Sequence, residues 1–180
     1  SKTVNSSKGG AVLLDEPETI YQIIKAVRAA LPSNYPVSAK MRLGYNDESR
    51  TEECAWAIKD GGANEIVIHA RTKKQGYTPP AHWHKVANYE QKLGIPLIIN
   101  GEIWSSADAT LAMTTSNCRA VMLGRGAVQN PFLAQQIKSN CQPADWDHIE
   151  PLVMDFWEEV KTTMSARYSA GRLKQWLKHL

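Results

Sequence analysis

The chain has 180 residues, about one domain's worth, and its 43% hydrophobic content builds a core and excludes global disorder. Apolar runs stop at four or five residues and mean hydropathy is −0.39, so no segment approaches the roughly 20 apolar residues of a membrane-spanning helix. Net charge is +3, and residues 161–180 carry Lys161, Arg167, Arg172, Lys174 and Lys178 with no Asp or Glu, so the basic charge is concentrated in the tail.

Ser6 to Gly10 reads as a loop before the first helix, and its single Gly-Gly pair is poor ground for a phosphate site. Asp15 caps a helix with Pro17 in its first turn, and Ile20, Ile23, Ile24, Val27 and Leu31 fall on one face at a 3.6-residue period. Val37 to Arg42 reads as a buried strand. A helix from Thr51 to Gly61-Gly62 follows, then a strand over Glu65 to His69. A weaker helical pattern spans Trp83 to Leu93 and stops at Gly94. Leu97 to Asn100 is a third strand, a helix follows Ser105-Ser106, and Ala120 to Gly124 is a fourth strand. Asn130-Pro131 opens a further helix. Beyond Cys141 a polar link through Pro143 and Asp147 leads to helices over Leu152–Arg167 and Arg172–Leu180.

Strand starts at 37, 65, 97 and 120 are 28, 32 and 23 residues apart, the size of a βα unit. The expected fold is α/β with parallel strands and right-handed crossovers. Domain boundaries follow the loss of strands: residues 1–141 form the α/β part, 150–180 the start of an all-helical part, with the boundary between 141 and 150.

Each strand ends in polar residues: Lys40 and Arg42, His69 and Arg71, Asn100 and Glu102, Gly124 and Arg125. Carboxyl ends of parallel strands are where such folds bind ligands. Taken singly, each cluster is an ordinary solvated rim; four in succession point to a shared site for a ligand bearing a phosphate and polar ring edges. Gly124-Arg125-Gly126 suits the phosphate, because glycine admits backbone N–H groups and arginine adds a charged fork. Lys40 alternates with Ala39 and Met41 in an apolar strand, an expensive place for a lysine without an anion or acceptor. His82 and His84 lack a third ligand at suitable spacing, so no metal site is expected. Cys54, Cys118 and Cys141 are odd in number with no CxxC, which argues against disulfides and zinc and for reduced thiols in a cytoplasmic protein. No secretory leader is evident at the start. The basic tail is either the solvated face of a helix or a footprint for a polyanion.

These residues together resemble the tRNA-dihydrouridine synthases, flavoenzymes with a (β/α)8 TIM barrel followed by a helical tRNA-binding domain. The carrying segments are Ser1-Lys2-Thr3-Val4, Gly9-Gly10-Ala11, Leu13-Leu14, Lys40-Met41-Arg42-Leu43-Gly44, His69-Ala70-Arg71-Thr72, Gln75-Gly76-Tyr77, Asn100-Gly101-Glu102-Ile103 and Met122-Leu123-Gly124-Arg125-Gly126. Arg172-Leu173-Lys174-Gln175-Trp176-Leu177 resembles the bacterial C-type subfamily, which acts on the tRNA D-loop, at position 16. The resemblance implies that Lys40 and His69 contact the flavin, that Asn100, Gly101, Glu102, Gly124 and Arg125 bind the ribityl and phosphate part of FMN, and that Tyr77 and Arg172 touch tRNA. It implies NADPH as reductant and reduction of a uridine to 5,6-dihydrouridine, with a cysteine as acid. The target base must leave its stack to meet a flavin.

In the family the acid lies in an Asn-x-x-Cys-Pro segment just before Ser-Lys-Thr-Val; Cys54, Cys118 and Cys141 do not match it. No catalytic residue is therefore assigned in this chain. Four strands are half of a barrel, so the expectation is a partial barrel of about four C-terminal βα units, with the chain inactive by itself. No obligate protein partner is evident. Two other readings stand beside this one: an FMN-dependent barrel oxidoreductase acting on a small molecule, and a non-catalytic RNA-binding module in which only the basic tail matters.

Overall fold

The computed structural model describes residues 2–139, 141 and 144–180; Ser1 of the first motif and Pro143 of the expected link lie outside them. Two compact units divide the chain. The first runs through Glu102 and includes Thr110–Met122; the second comprises Ile103–Ala109 and Leu123–Leu180.

In the first unit a short helix α1 (Lys2–Ser6) and a 3-10 segment (Gly10–Asp15) precede α2 (Pro17–Ala30), β1 (Ser38–Arg42), α3 (Thr51–Asp60) and β2 (Glu65–His69). A 3-10 turn (Trp83–Val86), α4 (Tyr89–Leu93), β3 (Leu97–Asn100), α5 (Ser106–Ser116) and β4 (Ala120–Met122) follow, α5 beginning in the second unit. The strands form one parallel sheet in the order β1-β2-β3-β4, the topology that successive right-handed βα units produce. Met41, Ile66, Ile68, Leu97 and Ile99 alternate onto the sheet's buried face. Burying each such side chain is worth about 1.5–3 kcal/mol relative to exposure, so this face holds the unit together. It is an α/β fold, as its spacing predicts.

Local differences from the expected elements have physical causes. Asp15 does not cap α2; it closes the 3-10 segment, and Glu16 holds the cap position without a side-chain bond to a helix N–H, its carboxylate accepting the Thr19 hydroxyl instead, leaving Pro17 to start the helix. The apolar stripe of α2 is buried only at Ile20, while Ile23, Val27 and Leu31 are 44%, 42% and 40% exposed. The helix leans on α3 through the Ile24 side: a Cβ on Gly61 would stand 2.8 Å from the Ile24 Cβ. Val37 lies outside β1 because Asn64 takes both its backbone groups, donating from its N–H to the Val37 carbonyl at 2.7 Å and accepting the Val37 N–H on Oδ1 at 2.8 Å. The Trp83–Leu93 helix is two pieces, broken where Asn88 takes a left-handed φ of 68°. β4 ends at Met122 rather than Gly124, which instead precedes α6.

The second unit contains α6 (Arg125–Gln129), α7 (Leu133–Ser139), α8 (Trp146–Thr163) and α9 (Ala166–Leu177), with no strand after Met122 among the described residues. Asn130 does not cap a helix at Pro131: it closes α6, and its Oδ1 accepts the Phe132 N–H at 3.1 Å before α7 opens at Leu133. α8 starts earlier than Leu152, because Asp145 caps it by accepting the His148 N–H, so Pro151 sits inside its second turn. The break before the last helix falls at Met164-Ser165, not after Arg167. No helix among the described residues is long and apolar enough to cross a membrane.

Candidate functional site

Parallel register places Arg42, His69, Asn100 and Met122 in one row at the carboxyl ends of β1 to β4. Lys40 stands two residues before Arg42, on the same face of β1. Its Nζ donates to Asn100 Oδ1 at 3.0 Å, joining residues sixty positions apart, and Asn100 Nδ2 donates to the Met122 carbonyl at 2.7 Å. The second bond fixes the amide, so that its oxygen, rather than its nitrogen, faces the lysine. Burial along the strand, and secondarily the neighbouring Arg42, hold the Lys40 ammonium below its usual value of 10.5, although solvent reaches the side chain. A cation in that state gains from an anion or a strong acceptor placed beside it.

Beyond β3 the chain turns through Gly101, at φ +114°, and Glu102, at φ +56°. A Cβ on Gly101 would lie 2.7 Å from His69 Cδ2, so only glycine lets the turn close on the buried imidazole. The Trp83 indole donates to the Gly101 carbonyl at 2.9 Å. The Glu102 carboxylate is paired with the guanidinium of Arg71, which is wholly buried.

The segment after β2 is tied down by Arg42, whose Nη1 donates to the carbonyls of Thr72 and Gly76, each at 3.0 Å. A side-chain turn reinforces it: Gln75 Oε1 accepts the Thr72 N–H at 2.7 Å and Thr72 Oγ1 accepts the Gln75 N–H at 3.2 Å. Tyr77 is thereby held with its ring 5.3 Å from the Arg42 guanidinium and 6.0 Å from the His69 ring, and it remains 61% exposed. Lys40, His69, Asn100, Gly101, Glu102 and Tyr77 thus lie on or beside one end of the sheet. Arg42 and Arg71, both named in the strand-end clusters, belong to the same arrangement, as does Trp83, which the sequence does not mark. The alternation Lys40-x-Arg42 marks one strand face and was a legible signal for Arg42; the buried pairing of Arg71 and the reach of Trp83 were not legible.

Gly124, Arg125 and Arg172 belong to the second unit. Open space surrounds Gly124, with nothing within 4 Å of where a Cβ would stand, and the Arg125 guanidinium lies 5.0 Å from the Trp104 ring centre. Arg172 is exposed, donates to Gln175 Oε1 at 3.3 Å, and borders a cavity of about 550 Å³ with Phe156, Trp176, Lys178 and His179. The Trp176 ring meets Phe156 edge-on at 4.9 Å and its N–H donates to the Val128 carbonyl at 3.0 Å. Cations interleaved with aromatic rings suit a polyanion with stackable bases. The His82 and His84 rings are 6.0 Å apart, and no group of three or more His, Cys, Asp or Glu able to hold a metal occurs among the described residues.

A family model described as dihydrouridine synthase (Dus) matches residues 1–180. A tRNA-dihydrouridine(16) synthase of Aquipseudomonas alcaligenes is 46% identical over 182 aligned residues, covering 98% of this chain and 58% of that protein. Proteins of the same name from Pseudomonas putida and from Neisseria meningitidis serogroup B are 45% and 47% identical, over 98% and 97% of this chain and 56% and 54% of their own lengths. The chain therefore spans somewhat more than half the length of these curated relatives. With Lys40, His69 and Asn100 at the carboxyl end of the sheet and the family match running over residues 1–180, this chain belongs to the dihydrouridine synthase family.

Proposed function

We propose that the chain is part of a flavin-dependent tRNA-dihydrouridine synthase that reduces uridine 16 of the D-loop, with residues 1–141 supplying four βα units of a TIM barrel and 150–180 the start of a helical tRNA-binding domain. The observation that carries this reading is the Lys40–Asn100 contact beneath the His69 row, which gathers a cation, an amide and an imidazole at one end of the sheet. That donor set fits FMN, whose ring edges and phosphate are acceptors. The Glu102 carboxylate is already neutralised by Arg71 and does not repel an anion. When bound, FMN supplies hydride chemistry, with NADPH as the source of reducing equivalents.

The protein's own share is binding and orientation. Lys40 places positive charge at the ring, His69 and the Gly101 turn limit where the ligand can lie, and Gly124 and Arg125 offer backbone access and a guanidinium to the phosphate. Tyr77, exposed beside His69, and Arg172, exposed on α9, meet RNA. Cys54 and Cys118 do not serve as the acid: both are buried, and burial pushes the Cys54 thiol up to about 11 and the Cys118 thiol upward as well. Cys141 is exposed but does not stand in the motif that the resemblance gives the acid, and the chain alone is proposed to lack uridine-reducing activity.

The test is FMN binding by the full chain, read from quenching of flavin fluorescence. Lys40→Ala and Asn100→Ala are expected to weaken it by about tenfold or more each, the loss of a hydrogen bond to a charged group. Unchanged affinity in both variants would remove the site. In the whole protein containing this chain, Lys40→Ala is expected to abolish dihydrouridine at position 16 of tRNA incubated with NADPH, measured by mass spectrometry. FMN binding without tRNA affinity would instead support a small-molecule oxidoreductase.

A further inference from the structure

We propose that Arg71 is a positioning residue that sets the Gly101-Glu102 turn, and through it the His69 ring, so that Glu102 acts on the ligand through its backbone while its carboxylate serves Arg71. The inference rests on the reading that this turn holds the ribityl and phosphate part of FMN.

Arg71 is the largest fully buried side chain among the described residues. A guanidinium without solvent stays only where its charge and its N–H groups are met. One arm meets the Glu102 carboxylate, and Nε donates to the Pro80 carbonyl at 3.2 Å. Arg71 therefore ties the segment ahead of Trp83 to the turn after β3. Its backbone is held equally firmly: its N–H donates to the His69 carbonyl at 2.7 Å, and its carbonyl accepts the Leu43 N–H at 3.1 Å.

The turn needs such a tie. Gly101 and Glu102 are consecutive left-handed residues, and Glu102 is not glycine, so its φ of +56° persists only where the surroundings impose it. The Arg71 pair fixes the Glu102 side chain and the Trp83 indole fixes the Gly101 carbonyl. Gly101 in turn abuts the His69 ring, so a shift of the turn moves the imidazole. Arg71 lies too deep to be a ligand contact and acts through these neighbours.

The experiment compares Arg71→Met, Glu102→Gln and their combination in the full chain, with FMN affinity measured by fluorescence and amide hydrogen exchange at Gly101–Ile103 measured without FMN. Each single variant is expected to raise the FMN Kd about tenfold and to speed exchange at the turn, and the double variant is expected to be no worse than the weaker-binding single, because both remove one link. Multiplying effects in the double variant, or unchanged exchange in Arg71→Met, would overturn the proposal. Arg71→Lys, which keeps the charge and loses the fork, is read in the same two assays if Arg71→Met does not fold. Failure of the unaltered chain to take FMN would count against the cofactor reading alone; the exchange measurement would still decide the role of Arg71.

Discussion

Gly101 concentrates the demands of the site in one residue. Its φ of +114° and its 2.7 Å clearance to His69 leave no room for a side chain, so Gly101→Ala is expected to cost about 1–3 kcal/mol and to displace the imidazole. The denaturation midpoint measures the first effect and the His69 ring resonances the second. The thiols make a second residue-scale prediction. Cys141 is exposed, whereas Cys54 and Cys118 are buried, so a thiol reagent is expected to modify Cys141 in the native chain and the other two only after denaturant is added. Cys54 also carries a pH signature. Its folded value, about 11, exceeds its ordinary 9.0, so the folded state holds the proton more tightly and the associated stability is lost as pH rises from about 9 through 11. Cys54→Ala should flatten that alkaline decline in a melting series.

At the level of elements, α8 and α9 are joined by the Phe156–Trp176 contact, and Trp176 also reaches the Val128 carbonyl in α6. Trp176→Phe keeps an aromatic ring and loses one N–H donor, so about 1 kcal/mol of stability is expected to go, seen as a lower thermal midpoint. The elements were legible unevenly. Strands over 65–69 and 97–100 stand where their β-branched runs put them: β2 is buried on both sides and β3 buries Leu97 and Ile99 on one, and buried strands of a parallel sheet favour such runs. The helix pattern over Trp83–Leu93 concealed a break, since a left-handed Asn88 leaves no mark in hydrophobic periodicity. The helix expected from Leu152 starts at Trp146 and takes Pro151 inside it, because the cap at Asp145 begins it sooner.

For the whole molecule, the distribution of charge matters more than its sum. Residues 161–180 gather five cations without an acid, and Arg172, Lys174 and Lys178 are exposed on or just beyond α9. If this surface meets the phosphates of tRNA, binding is expected to weaken linearly in log–log salt plots, and Arg172→Ala is expected to reduce the slope by about 1. Lys40→Ala should leave that slope unchanged while weakening FMN binding. A salt-independent interaction would point away from backbone recognition.

The sequence by itself determined the α/β class, the parallel order and the identity of the polar residues at the strand ends, because these follow from run length, residue type and the spacing of βα units. Tertiary structure decided which of those residues touch. Lys40 meets Asn100 only because two intervening crossovers bring β1 and β3 to either side of β2, and Arg71 becomes a buried partner of Glu102 only because the turn after β3 folds back over the end of β2. Contacts between residues thirty or sixty positions apart depend on register and burial, which no local pattern of side chains encodes.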